Sequence, residues 1–382
     1  MTSNHKKSRI VASSILALAM VFSLSGVAQE EDNSFEGLYQ KAGELIIGGQ
    51  TAEAAATFEK LIDLSGKWET IVEDYGAAAG GLMFDYGSVL VQLQRWNDAA
   101  AAFEKCRGAK KLAEEISPLG NDNPRENLAL FQLGFCTAQR GDHVKALELY
   151  DQYLATKPPA SELAQILTKY KLFYGTSQMK SDQMAAGLAT MQELFDNREK
   201  WKVSPGFLVQ ALLEIGGVWS ANAAEAIADV PKRQQIENDA IAWLDANGDF
   251  LNVQPFDALQ YGFVDRLKPL ALQSANSGLY SLALRYLSYM PTTQQLKDDI
   301  NIRTAMLGVK AMPGAYAQRL KLIEDREKAE IPPDVEVLRL MAICYEQVGN
   351  RMAPRTIHWH LATKYPKLPQ AKRAEILHEA AK

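Results

Sequence analysis

The sequence predicts an all-α chain, a right-handed α-solenoid of antiparallel helix hairpins, and three observations lead there. A small residue is followed twelve places later by a second small one, and four places after that by a large one. The sets are Ala42, Ala54 and Phe58; Gly87, Ala99 and Phe103; Gly134, Ala146 and Tyr150; Gly175, Gly187 and Met191; and Ala271, Ala283 and Leu287. Gly49, Gly141, Gly278 and Gly349 stand where the first helix of a pair should stop, and Asp142, Thr51 and Asn97 are placed to cap the next helix. The composition is 47% apolar over 382 residues, with no Gly/Ser-rich linker, which favours one continuous ordered body. The pattern has a physical cause: two helices cross where small side chains let their backbones approach, and the large residue fills the space beside the crossing.

In chain order, residues 1–28 read as a secretory signal. The basic His5, Lys6, Lys7 and Arg9 precede an apolar run from Ile10 to Val27, and Gly26-Val27-Ala28 supplies the small residues that predict cleavage after Ala28. An uncleaved anchor is the competing reading, weakened by Ser13, Ser14, Ser23 and Ser25. Residues 29–196 hold the clearer hairpins, and residues 197–382 continue the solenoid with degenerate repeats and a cap. The second small residues lie 45, 47, 41 and then 96 positions apart. Segments such as Trp68–Tyr75 and Gly108–Asn123 take up part of the excess, and the long gap hides a degenerate hairpin between Pro205 and Asn247. Another is expected between Ile300 and Lys328 around Met312-Pro313-Gly314, and a terminal helix from Gln370 to Ala381 should cap about seven helix pairs.

These residues resemble the tetratricopeptide repeat, a 34-residue hairpin unit with Leu-Gly in its first helix, Ala four before an aromatic in its second, and a closing Pro. Residues 127–160 carry the resemblance best, with Leu130, Leu133, Gly134, Ala146, Tyr150 and Pro158. Residues 80–113 keep Tyr86-Gly87, Ala99 and Phe103, and residues 35–68 keep Ala42, Ala54 and Phe58. Ala342, Gly349 and Pro366 fit near the C-terminus, where Pro354 replaces a small helical residue and suggests a displaced or shortened second helix.

The resemblance implies a concave groove lined by the first helices. Here that row reads Tyr39, Phe84, Val91, Phe131, Phe135, Leu172 and Met179, apolar and aromatic where family members that clamp charged peptide ends use Lys, Arg and Asn. An apolar peptide or partner helix is the expected occupant, with ordinary core as the competing reading of the same stripe. The resemblance places the chain among helical-hairpin accessory proteins of envelope assembly or of energy-transducing envelope complexes.

Other classes fare poorly. Forty-one Lys and Arg against 46 Asp and Glu give a net charge of −5, which disfavours nucleic acid as partner. Cys106, Cys136 and Cys344 are too few for a disulfide framework; Cys106 and Cys136 fall on adjacent hairpins, where either a bridge or two buried thiols is open. His358-Trp359-His360 points its imidazoles to opposite sides of a helix, and no metal or cofactor is expected. There is no nucleophile elbow or phosphate loop, and Gly80-Gly81 and Gly216-Gly217 are isolated pairs. The expectation is therefore a noncatalytic interaction scaffold, periplasmic or extracellular, with no transmembrane segment after signal cleavage. The alternative is a cell-wall glycan-binding component, or an enzyme, with its site in the middle helices near Trp201, Trp219 and Trp243.

Overall fold

A computed structural model describes residues 34–117, 123, 125–299, 324–326, 328–329 and 333–365. The expected signal segment, the expected turn at Met312-Pro313-Gly314, Pro366 and the helix expected from Gln370 to Ala381 lie outside the described residues. All regular structure among the described residues is helical, with sixteen bounded α-helices and no strand. Packing divides the chain into two units, Met1–Thr190 and Met191–Lys382.

In the first unit, α1 (Phe35–Ile47) pairs with α2 (Thr51–Leu64). A short α3 (Trp68–Tyr75) follows, then α4 (Ala79–Gln92) with α5 (Trp96–Ile116), and α6 (Glu126–Gln139) with α7 (His143–Ala155). Last come α8 (Ala160–Met179) and α9 (Met184–Asp196), which runs into the second unit. The second helix of one pair packs on the first of the next, α5 on α6 and α7 on α8. Trp68–Tyr75, expected as connecting length, is helical, and Gly76 ends it with a φ of 61°. The rest of the excess sits in α5, which is 21 residues long.

The second unit contains α10 (Pro205–Glu225) and α11 (Val230–Asn247), in the span assigned to the degenerate hairpin. After a short α12 (Pro255–Gln260) come α13 (Phe263–Asn276) with α14 (Tyr280–Ser288), and α15 (Pro333–Gln347) with α16 (Met352–Lys364). Here α10 packs on α13, and α14 on α15. Pro354 does not shorten α16, which has 13 residues like α7. It falls in the first turn, where a missing N–H costs no helical bond, and the Asn350 side chain accepts from the Met352 and Ala353 amides at 3.2 and 3.1 Å.

The turns explain why the pairs form. Gly49, Gly141, Gly278 and Gly349 adopt φ of 74°, 88°, 79° and 82°, the left-handed conformation that lets the next amide bond back across the helix end. Those bonds run from Gln50 to Leu45, Asp142 to Thr137, Leu279 to Ser274 and Asn350 to Tyr345, at 2.9, 3.2, 2.9 and 2.9 Å. Three further turns have the same closure with non-glycine residues in the left-handed position, Gln94 at 57°, Asp182 at 62° and Lys202 at 50°. Asp142 caps α7 by accepting from the Lys145 amide at 3.0 Å. Thr51 and Asn97 do not cap: each lies inside its helix, and the residues at the caps, Gln50 and Arg95, make no side-chain cap bond. The start of α14 is capped from another helix, since Glu237 of α11 accepts from the Ser281 and Leu282 amides at 2.6 and 3.2 Å.

The small residues lie at the crossings. Ala42, Ala54, Ala99, Ala146, Ala271 and Ala283 are all fully buried. A Cβ built at Gly87 would stand 2.8 Å from the Phe103 ring, and at Gly187 2.7 Å from the Gly175 carbonyl oxygen. Tyrosine hydroxyls then tie neighbouring helices through carboxylates. Tyr39 donates to Asp85 at 2.7 Å, Tyr75 to Glu36 at 3.1 Å, Tyr86 to Glu59 at 3.0 Å, Tyr153 to Glu162 at 3.0 Å, and Tyr174 to Asp151 at 3.0 Å. Tyr365 donates to Asp334 at 3.2 Å in the second unit. A hydrogen bond to a charged acceptor contributes about 1.5–3 kcal/mol where it is buried and less where water competes.

Candidate partner-binding site

Four of the seven residues of the expected groove row are core residues. Phe84, Phe131, Leu172 and Met179 are buried. Phe131 is the hub of an aromatic cluster, with ring centroids 5.6 Å from Tyr150, 5.8 Å from Tyr153 and 6.3 Å from Phe173. Removing it would cost about 3–5 kcal/mol, so its role is to hold α6, α7 and α8 together. Met179 is spent on the α8–α9 crossing, where its side chain packs against Gly187. A buried side chain reaches a partner only if the core opens.

Tyr39, Val91 and Phe135 remain half-buried and keep part of their surface in water. Around Phe135 the structure assembles a strip that the spacing rule missed. Trp96 meets Phe135 edge-on at 5.8 Å and 88°, and Phe135 lies 4.3 Å from Phe173 at 31°. Both newcomers are half-buried. Trp96 escaped notice because it opens a second helix, outside the first-helix row. Phe173 takes the place expected of its neighbour Leu172, and the signal available for it was the aromatic run Tyr170, Phe173, Tyr174 on one face of α8.

The polar edge of this region is set by Asp85. Burial holds its carboxyl above the usual range, opposed by the Tyr39 hydrogen bond and the Arg125 charge. The Tyr39 hydroxyl is pushed up by burial and by that same carboxylate. The Arg125 guanidinium lies 5.0 Å over the Phe84 ring. Behind it, Asn123 is buried: its Nδ2 donates to the Cys106 carbonyl at 2.7 Å, and its side chain occupies the space that a Cβ at Gly80 would need. Gly80 is therefore a packing position rather than an isolated one. Burial pushes the Cys106 and Cys136 thiols up to about 12, and all three cysteines are free.

In the second unit, Trp243 is enclosed by aromatic neighbours, with Phe195 at 4.9 Å and Trp219 at 5.3 Å, and its indole N–H donates to Gln192 at 2.7 Å. Trp201 is half-buried as well. A cavity of about 460 Å³ beside α13 is lined by Leu259, Val264, Lys268, Pro269 and Leu272, with Lys268 paired to Glu336. Among the described residues no three His, Cys, Asp or Glu side chains converge as metal ligands, and no helix is long and apolar enough to cross a membrane. No protein-family model matches the chain, and no curated protein matches it.

Proposed function

We propose that the chain is an exported, noncatalytic interaction scaffold of the cell envelope, built as a tetratricopeptide-like α-solenoid. Its N-terminal unit holds an apolar peptide or partner helix along the half-exposed side chains of the first helices. The observation that carries this reading is the strip Trp96, Phe135 and Phe173, three aromatic rings in contact that each keep part of their surface in water. Aromatic side chains in such a setting give large contact area at small entropic cost, which is why they dominate protein interfaces. Phe131, buried and 6.3 Å from Phe173, supports the strip from within, and Val91 packs half-buried on the same core.

The test is photo-crosslinking in intact cells from position 96, followed by replacement of Phe135 and Phe173 with Ser. Loss of the crosslinked partner with an unchanged thermal melt is the expected result. Equal capture by the folded variant would rule the strip out.

A further inference from the structure

The solvent face of α16 combines exposed apolar side chains with basic neighbours. Met352 and Trp359 are 69% and 65% exposed, the two highest values among the exposed large apolar side chains of the described residues. They are seven positions apart and so share one stripe of the helix. Thr356 and Thr363 complete that stripe, and both hydroxyls are turned back onto the helix. Thr356 donates to the Met352 carbonyl at 3.1 Å and Thr363 to the Trp359 carbonyl at 2.9 Å, leaving their methyl groups as the outward surface. Ile343 and Val348 of the same hairpin are also 53% and 44% exposed.

Charge sets this face apart a second time. The chain carries an excess of acids, yet α16 contains no Asp or Glu, and Arg351, Arg355 and Lys364 flank the stripe on both sides, all exposed. On α15, Asp334 is paired with Arg326 at 2.9 Å and Glu336 with Lys268, so both of these acids are already matched by cations.

We propose that α16 is a peripheral docking helix for an anionic phospholipid surface, with Trp359 and Met352 entering the headgroup boundary and the flanking cations meeting lipid phosphates. A Trp beside Arg and Lys on one exposed stripe is the side-chain combination that the lipid–water boundary selects. At 13 residues, about 20 Å, the helix lies in the interface and does not cross it. This assignment is independent of what the strip in the first unit holds.

The test is flotation of the full chain with vesicles of phosphatidylcholine alone and of phosphatidylcholine with phosphatidylglycerol. Residues 10–27 have an apolar run of their own, so the readout is the difference between wild type and variants. Arg351→Glu combined with Lys364→Glu should weaken binding to the anionic vesicles by at least about fivefold for each site, since each basic residue near such a surface contributes about 1 kcal/mol. Trp359→Ser should weaken it on both surfaces. Brominated anionic lipid should quench a tryptophan component that disappears in Trp359→Phe. Equal binding by wild type and the charge variant, or no quenching of Trp359, overturns the proposal. A purified acidic protein that binds the wild type and not the charge variant, with no lipid effect, would assign the face to a protein instead.

Discussion

The Tyr150 ring rests directly on the backbone of Gly134. A Cβ built at Gly134 would stand 2.7 Å from ring atom Cε1, closer than real Cβ atoms come to anything. Because Tyr150 is fully buried, the ring has nowhere to move. Gly134→Ala should therefore destabilise the protein by about 1–3 kcal/mol despite the gain in helix propensity, and Tyr150→Leu in the same chain should recover part of the loss. Urea denaturation of both variants checks this.

The hydroxyl of that same ring has a different consequence. It is buried with no hydrogen-bond partner, and an unpaired buried hydroxyl costs about 1–3 kcal/mol. Tyr150→Phe should leave stability unchanged or raise it. A drop of more than about 1 kcal/mol in the same denaturation experiment would mean that the hydroxyl is bonded in solution, by an internal water for example.

Gln94 and Asp182 occupy turn positions that glycine fills elsewhere. A side chain in the left-handed region costs about 1–2 kcal/mol, part of which glycine returns through its looser unfolded chain. Gln94→Gly and Asp182→Gly should each raise stability by about 0.5–1 kcal/mol, read as a higher thermal midpoint.

Alkaline pH probes the tyrosine ties. Burial, and then the partner carboxylates, push Tyr86, Tyr174 and Tyr365 up to about 12. Their ordinary value is about 10, so between 10 and 12 the folded chain holds protons that the unfolded chain has released. The stabilisation is complete below pH of about 10 and is lost as pH rises through about 12. Spectrophotometric titration should show these tyrosines ionising later in the native protein than in denaturant, with the unfolding midpoint falling over the same range.

The fold was legible in the sequence wherever one residue type answers to one local geometry. Gly49, Gly141, Gly278 and Gly349 announced the turns because left-handed backbone is nearly unique to glycine, and Gly87 before Phe103 announced a crossing because contact at that spacing needs a missing side chain. The same rule passed over Gln94 and Asp182, which form equivalent turns without glycine. The half-exposed aromatic strip was read less well. An apolar stripe looks the same whether it faces a groove or the next helix, and only the stacking of α8 against α6 shows that Phe131 is enclosed while Phe135 is not. The capping role of Glu237 was equally hidden, because it depends on two segments more than 40 positions apart.

That borrowed cap ties the stability of α14 to the presence of α11. With nine residues and no capping side chain of its own, α14 is too short to persist alone in water. Two of its first-turn amides are satisfied by Glu237 and by no capping side chain of α14 itself, so replacing Glu237 with Ala would unpair both and fray α14 from its N-terminal end.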